Sequence, residues 1–221
     1  MLLTKFTHSC VRLERDGRTL VLDPGVLSES AQALTGADAV LITHEHADHF
    51  DADALVQALS ASPALTIHAP HKVAAELRGQ APGQAERIHD TAPGTGFEAA
   101  GFSVRCFGGQ HALIHASVPV VPNVGYLIED ADGAVYHPGD SLIVPHGVAV
   151  HTLLVPVQAP WSKVAEVVDF VVSVRAPRAF QIHDGLLNEQ GLEFTESHIA
   201  RIGAQHGVVF EHLAPGRTVE L

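Results

Sequence analysis

The sequence predicts an α/β domain in which two β-sheets pack face to face and helices cover their outer surfaces. Three observations carry this. Short strand-like segments cluster along the chain with helical segments interspersed, several strands are continuous apolar runs of the kind buried on both faces, and the helices are amphipathic. At 221 residues and 46% hydrophobic content the chain holds enough apolar material for a substantial core, which excludes disorder for most of it. No stretch rich in Gly, Pro or Ser divides it, and residues 92–96 are too few for a linker, so residues 1–221 read as a single domain. No internal repeat is visible.

Strands are predicted at Leu2 to Phe6, Val11 to Glu14 and Thr19 to Leu22, the last two joined through the turn pair Asp16-Gly17 and ending at Asp23-Pro24-Gly25. Ala39 to Thr43 is a short apolar strand, followed by a polar segment from His44 to Asp51 and a helix from about Ala52 to Leu59. Leu65 to His68 is a further strand, and His71 to Arg78 a short helix closed by Gly79. An irregular Pro/Gly section precedes strands at Phe102 to Phe107, Val124 to Glu129 and Ala134 to His137, with an Asp132-Gly133 turn before the last. Leu153 to Val157 is another strand. Ser162 is the expected N-cap of a helix whose residues Val164, Val167, Val168, Val171 and Val172 share one face, and Pro177 marks its end. Ala179 to Ile182 is a strand, Thr195 caps a last helix with Ile199 and Ile202 inward, and Val208 to Phe210 closes the chain.

Charge narrows the function classes. With 13 Lys+Arg against 25 Asp+Glu, the net charge of −12 repels nucleic-acid phosphates unless the basic residues gather in one place. A small-molecule substrate is therefore expected ahead of nucleic acid. The start has no apolar signal-peptide core, and no uninterrupted apolar run reaches the ~18 residues of a membrane span. The best candidate, Val164 to Val174, is broken by Glu166, Asp169 and Ser173. Cys10 and Cys106 make neither a C-x-x-C motif nor a disulfide framework, which suits a reducing cytoplasm; a homo-oligomer is compatible with the sequence. One number stands out: 16 histidines, more than lysines and arginines together.

The segment His44-Glu45-His46-Ala47-Asp48-His49 concentrates metal-binding side chains directly after a buried strand. It is not the helical zinc-protease signature H-E-x-x-H, because position 48 is Asp48. As H-x-H-x-D-H in an extended or loop segment, it turns His44 and His46 to one side while Asp48 and His49 swing toward an adjacent point, so one segment can serve two metals. His111, Asp140 and His183 each lie just past the end of a predicted strand, where a sheet presents side chains on loops.

H-x-H-x-D-H, then a lone histidine, then a Gly-Asp pair in Tyr136-His137-Pro138-Gly139-Asp140-Ser141 and a late histidine after a strand together resemble the metallo-β-lactamase superfamily of metal-dependent hydrolases. Thr7-His8-Ser9 and Leu22-Asp23-Pro24 further resemble its lactonase-like and uncharacterised branch. The resemblance implies an αββα sandwich of two mixed sheets flanked by helices, and a binuclear site. His44, His46 and His111 would hold the first ion, Asp48, His49 and His183 the second, and Asp140 would bridge them. Imidazoles with carboxylates suit Zn²⁺ first, with Mn, Fe or Ni as alternatives. Two such ions can activate a bridging hydroxide for attack on a small ester, lactone or phosphodiester.

Asp48 is the expected residue to orient that water and shuttle a proton, and His8 is the second catalytic candidate, in a supporting or substrate-contacting role. Ser9, His115, Trp161 and Asp184 are further candidates of unassigned role, and residues 112–123 are the expected pocket wall. A serine-hydrolase reading of Gly139-Asp140-Ser141 fails because position 143 is Ile143, not Gly. The rivals are a nuclease or RNA-processing member of the superfamily, a di-iron redox member, which would be expected to carry Glu where this chain has His46, and a non-catalytic module stabilised by metal. A phosphorylated substrate would call for a cation beside the metals, with Arg12, Arg105, Lys163 and Arg178 as the candidates.

Overall fold

A computed structural model describes residues 1–131 and 133–221; the expected Asp132-Gly133 turn thus falls partly outside the described residues. Two seven-stranded sheets are built from the described residues. The first opens with β1 (Leu2–Lys5), β2 (Val11–Arg15) and β3 (Arg18–Leu22), all antiparallel neighbours. Asp16 and Gly17 form the tight turn between β2 and β3 with φ of 50° and 74°, the left-handed geometry that matches strand twist. The chain then winds through parallel strands β4 (Ala39–Leu41), β5 (Thr66–Pro70) and β6 (Ile88–Thr91), with helices α1 (Ser30–Ala33), α2 (Ala52–Ala61) and α3 (His71–Gln80) in the crossovers.

The second sheet mirrors this plan. An antiparallel meander of β7 (Gly96–Ala99), β8 (Phe102–Gly108), β9 (Val124–Glu129) and β10 (Ala134–His137) leads into parallel β11 (Thr152–Pro156), β12 (Arg178–Ile182) and β13 (Val209–Glu211). Helices α4 (Val164–Val174) and α5 (Glu189–Ala204) supply the last two crossovers, and β14 (Thr218–Glu220) returns to pair with β1 in the first sheet.

Strand alternation sorts the core into three layers. On β3, Leu20 and Leu22 face the second sheet, whose Phe102, Tyr126, Ile128 and Phe180 meet them. Val21 between them points outward, to the layer of Leu55, Leu59, Val73 and Leu77 under α2 and α3. On the far side Leu153 and Val155 pack against Val167, Val171 and Ile199 of α4 and α5. This is the predicted sandwich of two mixed sheets flanked by helices. Among the described residues no helix is long and apolar enough to cross a membrane.

Local readings needed correction where capping and edge pairing decide. Lys163 occupies the N-cap of α4; Ser162 instead hydrogen-bonds Ala159 in the preceding turn. Asn188 caps α5 by accepting from Gly191 N, and Thr195 lies inside the helix with its hydroxyl on the Gly191 carbonyl. Gly79 is within α3, which runs on to Gln80. The section read as irregular contains the edge strands β6 and β7, and the chain closes on β14, not on Val208 to Phe210.

The seam between the sheets carries a titratable group. His68 of β5 stacks on Phe97 of β7 with ring centroids 4.4 Å apart and sits beside His89 of β6. Burial first, and the neighbouring His89 second, push its pKa down to about 4. The unfolded chain then takes up this proton near the ordinary value of about 6.5 while the folded one does so only near 4, so this group subtracts up to ~3 kcal/mol of stability as pH falls through that window. Urea unfolding at pH 7 and pH 4 should show the acid loss reduced by that order in His68→Phe; an equal loss in both proteins would count against the assignment.

Candidate metal centre

The loops at the carboxyl ends of the strands converge on one point. After β3 comes Asp23; after β4 the segment His44 to His49; after β8 His111; after β10 Asp140; after β12 His183. The β1–β2 loop brings His8 to the same place, its Nε2 3.1 Å from Asp48 Oδ2. Two groups of side chains hold ligand atoms within 4.8 Å of one another: His44, His46, His111 and Asp140, and His8, Asp48, His49 and His183.

The hydrogen bonds fix which ring nitrogen carries a proton. The Nδ1 atoms of His111 and His183 lie 2.6 Å from the carbonyl oxygens of Ala112 and Gln158, which only accept, so both imidazoles donate from Nδ1 and leave Nε2 bare. His49 does the same to Asp23 Oδ2 at 2.6 Å. The Thr43 hydroxyl gives its proton to Asp23 Oδ2 at 2.7 Å, so its oxygen accepts from His44 Nδ1 at 2.9 Å. Asp23 also takes the Thr43 backbone N–H on Oδ1 at 2.8 Å. One buried carboxylate therefore orients two of the proposed ligands, an arrangement typical of metal sites.

The bare nitrogens face a carboxylate. His49 Nε2 is 3.0 Å from Asp140 Oδ1, while His183 and His111 Nε2 lie 3.1 and 3.3 Å from Oδ2 and that of His44 3.9 Å. The Nε2 atoms of His49, His111 and His183 and Asp140 Oδ1 are buried without hydrogen-bond partners. Lone pairs aimed at lone pairs in a dry pocket repel unless a cation lies among them, so the donor set fits divalent metal ions. His46 Nδ1, 3.1 Å from His44 Nε2, belongs to the same cluster.

Electrostatics agree. Burial and the neighbouring His49 drive the His44 pKa well below the usual imidazole value, and burial followed by His111 lowers that of His46. Burial disfavours the His49 cation, but Asp140 and Asp23 on either side hold its pKa well above that value, the same two carboxylates favouring either a proton or a metal ion on Nε2. Burial pushes Asp140 up, yet the charge of His49 and contacts with His111 and His183 bring it well below the carboxylate range. Positive charge is favoured at the point these groups share.

Close packing sets the rest. Gly139 has φ of 62°, and a Cβ there would stand 2.3 Å from Asn123 Oδ1 and 2.7 Å from Thr43 Cβ; Asn123 Oδ1 in turn accepts from Asp140 N at 3.0 Å. At Gly25 a Cβ would meet Asp48 O at 2.0 Å, so the ligand loop lies directly on the β3 end. Trp161 Nε1 donates to Asp140 Oδ2 at 3.2 Å, and its ring meets those of His111 and His183 edge to face, with centroids 5.7 and 6.3 Å away. Buried Lys5 donates to the carbonyls of Phe6 and His8 and to Asp184 Oδ1, which also accepts from His8 N.

All seven proposed ligands meet in this cluster, with Trp161 on its wall and Asp184 behind His8. Ser9 is buried, its carbonyl accepting from His137 Nε2. His115 does not reach the cluster; it is exposed and pairs with Ser117. Arg12 is tied to the Ala33 and Thr35 carbonyls, Arg105 to Glu129, Arg178 to Glu220 and Lys163 to Glu166. Sequence reasoning assigned no role to Thr43, Gln158 or Lys5, placed Asn123 only at the end of the expected pocket wall, and noted Asp23 only within the Leu22-Asp23-Pro24 resemblance.

The sequence profile described as the beta-lactamase superfamily domain matches residues 2–183. Protein Rv0786c of Mycobacterium tuberculosis is 40% identical over 189 residues, 85% of each chain. The UPF0173 metal-dependent hydrolase MK1542 of Methanopyrus kandleri is 26% identical over 155 residues, 64% of this chain and 62% of that one. Among solved structures, Igni18, a metallo hydrolase from Ignicoccus hospitalis, superposes with a TM-score of 0.74 at 19% identity, over 99% of this chain and 97% of the other.

Asp23→Ala removes the acceptor of His49 and frees the Thr43 hydroxyl that holds His44. It should weaken zinc binding about 10- to 100-fold in competition with a chelating dye; wild-type affinity would show that Asp23 does not set ligand geometry.

Proposed function

The chain belongs to the beta-lactamase superfamily domain family, and on that premise we propose that it is a hydrolase that uses two divalent metal ions to cleave a small ester, lactone or phosphodiester. The observation that carries this reading is the set of buried, unpartnered imidazole nitrogens turned toward Asp140. His44, His46 and His111 would hold one ion, Asp48, His49 and His183 the other, and Asp140 both. Zinc suits this imidazole-rich set best, and the relative named a metal-dependent hydrolase supports the reaction class. When bound, such ions lower the pKa of water and offset negative charge developing on a carbonyl or phosphoryl oxygen.

The protein's own groups supply orientation and proton handling. Asp48, like His46, is only half-buried, whereas the other members of the cluster are buried. Burial raises its pKa, but the hydrogen bond from His8 and the nearby His49 together more than reverse this and keep the carboxyl ionised. An ionised Asp48 can orient a reacting water and accept its proton.

His8 positions Asp48. Gly185 N–H donates to His8 Nδ1 at 3.2 Å, so that nitrogen must be an acceptor, and the neutral ring carries its proton on Nε2, toward Asp48. Burial lowers the His8 pKa and favours this neutral form. With both nitrogens engaged, His8 offers no lone pair to a metal despite lying within ligand reach. A cytoplasmic, small-molecule role accompanies this proposal.

The direct test is to purify the protein, count bound metal and assay ester, lactone and phosphodiester panels before and after chelation. Activity should vanish with the metal and return on zinc addition; activity that survives complete removal would falsify the proposal. Asp48→Asn should stay folded and metal-bearing yet lose roughly 10²–10⁴ in kcat. For His8 the comparison is between two substitutions: His8→Gln, whose amide N–H still donates to Asp48, should retain more activity than His8→Leu. Equal activity in the two would rule out the donor role.

A further inference from the structure

The strand-end cluster takes up six of the sixteen histidines, and three of the remainder meet elsewhere. His68, His71 and His89 line a cavity of about 510 Å³ at one open edge of the sandwich, where β6 and β7 are the outermost strands of their sheets.

Strand geometry pairs two of them. His68 of β5 and His89 of β6 are opposite one another in parallel register. Ile67 and Ile88, one residue before each, point into the layer under α2 and α3, so alternation turns both imidazoles to the other face, toward the second sheet. The His68 ring lies flat on Phe97 at an interplanar angle of 8°, and the His89 ring stands on its neighbour's flank at 34° with centroids 4.9 Å apart. His71 borders the same cavity but is engaged: its Nδ1 lies 2.8 Å from Asp90 Oδ2, and Arg78 pairs with the same carboxylate.

The paired imidazoles have donor capacity to spare. Among the described residues the hydrogen bonding of the His68 ring is one long contact, 3.4 Å from Nε2 to Thr66 Oγ1, and the His89 ring makes none. Burial keeps His68 neutral well into acid, and a neutral imidazole carries one bare nitrogen. Phenylalanine would cover Phe97 without the acid cost that His68 brings, so an imidazole at this position points to a use for its nitrogen.

We propose that His68 and His89 form a second, mononuclear metal site, in which a divalent transition-metal ion binds the two imidazoles and water completes its shell. Imidazole donors suit Cu²⁺, Ni²⁺ and Zn²⁺, not Mg²⁺ or Ca²⁺, and affinity peaks at Cu²⁺ in that series. The groups of three or more donors that converge within 4.8 Å are the two of the strand-end centre, so this site has two protein ligands, one of them exposed, and holds its ion more weakly. The net charge of −12 favours the approach of a cation. Binding here is independent of hydrolysis and of its substrate.

The test uses Cu²⁺ as the probe. Zinc-loaded protein, dialysed free of loosely held metal, is titrated with Cu²⁺ under electron paramagnetic resonance while a chelating dye reports any zinc released. A single equivalent of Cu²⁺ should bind with hyperfine structure from imidazole nitrogen, no zinc should leave, and excess Mg²⁺ should not compete. His89→Gln, at an exposed position that folding does not depend on, should weaken binding at least about tenfold, the loss that removing even an outer partner of a metal site brings. His68→Phe should do the same, and both variants should keep the zinc content of the wild type. His206→Gln, at an exposed histidine beyond α5, should bind Cu²⁺ as the wild type does.

Copper uptake matched by zinc release would place the ion in the strand-end centre and overturn the proposal. Uptake that persists in both His68→Phe and His89→Gln, or that falls equally in His206→Gln, would mean scattered surface binding and overturn it as well. So would a copper signal without nitrogen coupling.

Discussion

Everything at the centre depends on one carboxylate held out of water. Asp23 closes β3 in a left-handed conformation, with φ of 46°, and is fully buried. A buried charge of this kind is costly unless its oxygens are satisfied. Thr43 meets both oxygens, from its backbone and its hydroxyl, and His49 meets one through Nδ1. The same bonds join the end of β3 to the end of β4 and to the ligand loop. They also determine that His44 and His49 present Nε2, not Nδ1, to the interior.

The cluster is arranged against its own stability. Bare imidazole nitrogens surround Asp140, and Asp48 stands close by, so the fold gathers lone pairs and negative charge in one pocket. Such a pocket couples cation binding to folding, because a bound ion relieves a repulsion that packing alone sustains. The burden is carried by rigid surroundings: Gly139 pressed against Thr43 and Asn123, Trp161 hydrogen-bonded to Asp140, and the Lys5–Asp184 ion pair under His8. None of these groups needs to touch a substrate to matter to its chemistry.

Legibility followed the strength of local signals. Doubly buried strands such as Ala39 to Leu41 and β9, Val124–Glu129, announced themselves as apolar runs, and the helix at Val164–Val174 by its spacing. The edge strands β6, β7 and β14 did not, because an edge strand is half solvated and its residues carry little pattern: His89, Asp90, Gly96 and Glu220 look like loop. Helix caps were misread by a few residues for a related reason. Several polar side chains at a helix start can each accept a backbone N–H, and only the path of the preceding turn decides which one does.

The sequence by itself determined which side chains are candidate donors, since H-x-H-x-D-H with His111, Asp140 and His183 supplies imidazoles and carboxylates of metal-binding type. It determined the two-sheet architecture as well, because burial on both faces of so many short strands requires two packed layers with helical covers. Tertiary structure alone decided which nitrogen each histidine presents, that Asp23 and Thr43 orient the ligands, that His8 is a donor to Asp48, and that His115 stays outside. The physical reason is that a tautomer is set by the partner across the fold. Those partners, Gln158 for His183 and Gly185 for His8, lie on segments that meet only when the strand ends converge.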